Sequence, residues 1–134
     1  MKRLLIAATV ATFALAAQAQ PAPSPVQPAP VKRTVLSKVE VPGANYDVIT
    51  ALVEITPGFK AGRHTHPGTV GGQVLEGEFW LAIDGQPEKV AKAGEWVEIR
   101  DAAIHNEGAV DSTAAKLLVI YIVERGKPLV SPVK

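Results

Sequence analysis

From Tyr46 onward the chain alternates apolar and polar positions in short runs broken by Gly, Pro and Asp, with no sustained 3.6-residue apolar period. Residues 46–56 put Ile49, Ala51, Val53 and Ile55 on one side and stop at Pro57-Gly58. Residues 78–84 put Phe79, Leu81 and Ile83 opposite Trp80, Ala82 and Asp84. Asp84-Gly85 then supplies a hairpin turn, because Gly tolerates the positive φ that a tight turn needs. In residues 95–99, Trp96 and Glu98 alternate with Val97 and Ile99. Residues 115–124 are apolar at nearly every position and predict a strand buried on both faces. All 11 glycines fall between Gly43 and Gly126, spaced as corners between strands. Many short strands with turn signals predict an all-β sandwich or barrel.

The N-terminal third reads differently. Lys2 and Arg3 precede an uncharged run over residues 4–17, and Ala17-Gln18-Ala19 offers the small-x-small pattern of a peptidase site. These three parts predict a signal peptide over residues 1–19, cut after Ala19. The run is shorter than the roughly 20 residues a membrane-spanning helix needs. Residues 20–31 are a Pro-rich linker, with five prolines between Pro21 and Pro30, and the folded domain is expected over residues 32–134.

Composition narrows the function. With 134 residues there is room for one domain, and 14 basic against 13 acidic residues leave no field of one sign to hold nucleic acid or, after signal cleavage, a membrane surface. The absence of cysteine excludes disulfides, zinc–thiolate sites, iron–sulfur clusters and a thiol nucleophile. An exported chain without cysteine fits the bacterial periplasm.

Candidate chemistry rests on three histidines, His64, His66 and His105. His64 and His66 leave the same face of a strand, so they can occupy two adjacent positions of one metal ion. A third imidazole from another strand would complete a facial set with open positions. Spacing alone does not bring His105, 39 residues after His66, to that place. Glu107 shares the face of His105 on a regular strand, where it could be a fourth ligand, a partner to an imidazole N–H or a general base, or an exposed strand-end acid.

The residues from Gly58 to Gly77, with His64 and His66 between, resemble the first motif of the cupin superfamily, G-x5-H-x-H-x3,4-E-x6-G. Gly94 and His105 match the spacing of the second, G-x5-P-x-G-x2-H-x3-N. The resemblance runs from about Val35 to Leu129. It implies a single-domain jelly-roll β-barrel with a divalent metal (Fe, Mn, Zn or Ni) in its mouth, held by His64, His66 and His105. It also implies a homodimer formed through an N-terminal strand, here residues 35–41. Three positions depart from the pattern. Val70 stands where the family's metal-binding glutamate falls, Arg100 and Ala102 replace the second motif's proline and glycine, and Ala109 replaces its asparagine. The second-motif turn is therefore expected to be built differently. Gln73 would reach the metal only if Gly71-Gly72 carried a bulge that reverses the alternation.

The implied function is an exported small-molecule dioxygenase or other oxidoreductase, with Glu107 as the catalytic proton-transfer residue. The alternative is a non-catalytic module, with or without metal, that binds a small ligand. Trp80, Trp96 and Tyr121 read as packing residues, the Tyr121 hydroxyl being available to a ligand. Neither a serine triad nor a phosphate loop has support.

Overall fold

The alternation from Tyr46 becomes β2 (Tyr46–Ile55), with Ala51, Val53 and Ile55 buried in the core and Leu52 and Glu54 on the opposite side. The computed structural model describes residues 29–134; the expected signal peptide and linker residues 20–28 lie outside the described residues. The other strands are β1 (Val31–Glu40), β3 (His64–Thr65), β4 (Gly68–Ile83), β5 (Lys89–Lys92), β6 (Trp96–Ile99), β7 (His105–Ala109), β8 (Ala115–Glu124) and β9 (Ser131–Pro132). Every pairing is antiparallel. No helix forms among the described residues.

β4 organises the molecule. Its first part pairs with β8 on one side and β6 on the other; its second part pairs with β7 and β5. The result is two sheets, β1-β2-β8-β4-β6 and β5-β4-β7-β3-β9, that share one bent strand and curl into a jelly-roll barrel. The core lies between them, built from Val53, Val74, Phe79, Leu81, Leu117 and Val119 among others. The stretch Gly68–Gly77 carried little strand signal because Gly71 and Gly72 have poor β-propensity. The Trp96 indole lies over Gly71, filling the space a side chain would take.

One expectation is corrected. β8 is buried on one face only: Leu117, Val119, Tyr121 and Val123 face the core, whereas Ile122 on the other side is 45% exposed. Its outer face is apolar without a layer over it among the described residues. At the second-motif turn Ala102 adopts φ 57° and the Ala103 amide donates to the Arg100 carbonyl at 3.1 Å. An L-residue with a Cβ in that conformation costs about 1 kcal/mol relative to glycine. Ala102→Gly is therefore expected to stabilise the chain by about 1 kcal/mol, read as a higher denaturation midpoint at unchanged m-value.

Candidate metal centre

β3 and β7 are neighbours in register, with His64 opposite His105. This pairing closes the sequence gap that alternation could not bridge. His66 follows one residue after β3, on the same face as His64, and all three imidazoles are buried. Ring centroids are 4.2 Å apart for His64 and His105, and 5.0 Å apart for His66 with each of them.

Backbone carbonyls orient the rings. The Nδ1 atoms of His64, His66 and His105 lie 2.8, 2.7 and 2.9 Å from the carbonyl oxygens of Gly62, Leu129 and Ala103. A carbonyl only accepts, so each Nδ1 carries the proton and each neutral ring keeps an Nε2 lone pair. β9 supports the arrangement by pairing with β3, which brings the C-terminal segment and its Leu129 carbonyl against His66. Asn106 fixes the approach to His64, its Oδ1 accepting from the Gly62 amide at 2.9 Å.

Glu107 joins the cluster from the same face of β7. Its Oε1 lies 3.8 Å from His64 Nε2 and its Oε2 lies 3.9 Å from His105 Nε2. One ligand atom from each of His64, His66, His105 and Glu107 falls within 4.8 Å of the others. Val70, 5% exposed, packs in the core and contributes nothing polar. The one carboxylate of the cluster comes from β7, not from β4. Gln73 is not brought in: it is exposed, and the register shift falls between Val74 and Glu76, too late to turn it inward.

Electrostatics follow from burial. Desolvation holds the His66 imidazole down to about 4, against the backbone bond to Leu129 that favours its charged form. His105 is pushed below its ordinary value for the same reason. Burial pushes the Glu107 carboxyl up, with His64 and Arg33 pulling the other way. His105 Nε2 is buried and has no hydrogen-bond partner among the described residues. A buried polar atom left unsatisfied costs about 1–3 kcal/mol, so a lone pair aimed at three other ligand atoms asks for a cation. Three neutral imidazoles and one carboxylate form a donor set suited to a divalent transition metal.

Beside the cluster lies a cavity of about 210 Å³, lined by Arg33, Val53, Phe59, Ala61, His64 and Glu107 among others. Sequence reasoning missed Arg33. The strand gave no signal for it, since β1 is exposed at every position but the half-buried Val31. Tyr121 lies in the core as expected, 5.8 Å from the His66 ring, and its hydroxyl oxygen accepts from Arg33 Nε at 3.2 Å, which leaves the O–H as a donor.

A family model described as a cupin domain matches residues 51–121. A cupin-like protein of Thermotoga maritima superposes with a TM-score of 0.62 at 23% identity, over 77% of this chain and 75% of its own. The polyketide cyclase RemF of Streptomyces resistomycificus gives a TM-score of 0.62 at 22% identity, over 78% and 72%. An oxalate oxidase gives 0.61 at 27% identity over 81% of this chain, which spans 57% of the oxidase's length. No curated protein matches the chain in sequence.

Proposed function

The chain belongs to the cupin-domain family, and on that premise we propose that it is an exported, metal-dependent oxidoreductase of the dioxygenase class acting on a small molecule. The observation that carries the metal is the common orientation of the three imidazoles, each Nδ1 spent on a backbone carbonyl, with His105 Nε2 buried and unpartnered. His64, His66 and His105 would hold the ion, and Glu107 would supply the negative charge that three neutral rings lack. A divalent metal there would supply Lewis acidity and, if redox-active, electrons.

The chain's own residues do the rest. The apolar wall formed by Val53 and Phe59 limits water around a ligand in the cavity. Glu107 lines that cavity, and every imidazole Nδ1 is already engaged, so Glu107 is the group placed to move a proton to or from the ligand. The likeness to an oxalate oxidase at 27% identity favours oxidation of a small molecule. Val70, in place of the family's usual carboxylate, favours the second reading, a binding module without turnover.

Export and pairing complete the proposal. The signal-like residues 1–19 would direct the chain to the periplasm. β1 is the outermost strand of its sheet and exposes Val35, Leu36 and Val39 at 57%, 58% and 58%, an edge suited to a second copy.

The test is metal content of the mature chain, purified without an affinity tag from the periplasm, beside a His64→Ala/His66→Ala variant. About one ion per chain, lost in the variant, is expected of a site with two of its ligands removed. A wild type that stays metal-free after reconstitution with several divalent ions overturns the metal reading. Oxygen uptake in the loaded protein then separates an oxidoreductase from a binding module.

A further inference from the structure

The first strand is exposed along nearly its whole length, only Val31 being half-buried. Val31 and Arg33 lie on the same face of β1, opposite Ile55 and Val53 of β2, and Val31 packs against the core. Arg33, an exposed residue overall, lines the same cavity as His64 and Glu107.

Tyr121, buried on β8, braces the guanidinium. Its hydroxyl accepts from Arg33 Nε at 3.2 Å, and Arg33 Cζ stands 5.7 Å from the ring centroid. The two terminal nitrogens have neither a hydrogen bond nor an ion pair with protein among the described residues. An arginine oriented through Nε keeps a planar fork of N–H donors, the geometry that matches a carboxylate. A divalent ion, one carboxylate and one guanidinium would also leave the pocket net positive, which suits an anionic ligand.

Resting on the metal reading above, we propose that Arg33, braced by Tyr121, binds the carboxylate of a small organic acid whose other end reaches the histidine cluster. The cavity has the volume of about seven waters, room for an acid of a few carbon atoms. Arg33 sets substrate class; the histidines hold the metal.

The test compares lactate with its neutral counterpart lactamide by calorimetric titration of the full mature chain, cobalt-loaded and metal-free, in wild type, Arg33→Gln and Arg33→Lys. Cobalt absorption reports metal occupancy in each sample. Wild type is expected to prefer lactate roughly ten- to a hundredfold, as a charge-assisted fork should. Arg33→Gln should lose that preference at unchanged cobalt occupancy and unchanged lactamide affinity, and Arg33→Lys should recover part of it. Equal preference for lactate in wild type and Arg33→Gln overturns the assignment. Failure to take up cobalt and the other divalent ions of the reconstitution series overturns the metal reading alone. Arg33 is then judged in the metal-free titrations, where no preference for lactate in wild type overturns it as well.

Discussion

Zinc added to the metal-free mature chain at a hundredfold excess over its dissociation constant is expected to stabilise it by about 2.7 kcal/mol, raising the melting temperature by roughly 10 °C. His105→Leu should abolish that response without weakening the metal-free fold. The reasoning rests on one atom. His105 Nε2 is buried without a partner, a cost that the metal-free chain carries in its folded state. Leucine fills a similar volume with no polar atom, and Ala103, whose carbonyl is released from Nδ1, is only half-buried. The variant should therefore match or exceed wild type by about 1 kcal/mol in the absence of metal. A histidine kept for packing gives the reverse pattern, a weaker fold and an intact zinc response, and calorimetric melts with and without zinc separate the two.

Acid works on the same residues. His66 titrates near 4 in the fold and near 6.5 when unfolded. Above 6.5 both states are neutral and its contribution is fully present. As pH falls from 6.5 toward 4 the unfolded chain gains a proton that the fold refuses, and that contribution is lost. Glu107, raised by burial, acts in the opposite sense, favouring the fold at low pH and losing that contribution as pH rises through its raised value.

Much of this was legible in the chain, for reasons that differ from residue to residue. Side-chain alternation has period two, so β2, the core side of β8, and the shared face of His64 and His66 followed from spacing. Glu107 beside His105 followed from the same rule. The meeting of His64 with His105 did not, because it depends on a pairing of β3 with β7 across the barrel that no local pattern encodes. Only the resemblance of Gly58–Gly77 and Gly94–His105 to family motifs anticipated it. Arg33 escaped because its partner Tyr121 lies 88 positions away and an isolated arginine on an edge strand looks like a solvated charge. The outer face of β8 was misjudged because an apolar composition does not say whether a second layer covers it.

Gly77→Ala should be among the most damaging single changes in this protein, costing about 3 kcal/mol or more, a large share of the ordinary 5–15 kcal/mol of a folded domain. Gly77 is the last β4 residue paired with β8; Glu78, the next, pairs with β5. The strand passes between sheets there at φ 75°, where an L-residue is strained by about 1–2 kcal/mol. A Cβ would also overlap the Ala114 carbonyl oxygen, and that is backbone held in place by the β4–β8 ladder. Relieving the overlap means moving a strand, which adds about 1–3 kcal/mol. Gly85→Ala is the internal control, with φ 77° but open space around its Cβ, so it should lose only the conformational part. Denaturant midpoints of the two variants separate strain from collision. The damage should also reach the metal site, since β4 beyond the corner pairs with β7, which carries both His105 and Glu107. Gly77→Ala is then expected to weaken zinc binding while Gly85→Ala does not, tying the glycine of the first motif to the histidines through the corner it allows.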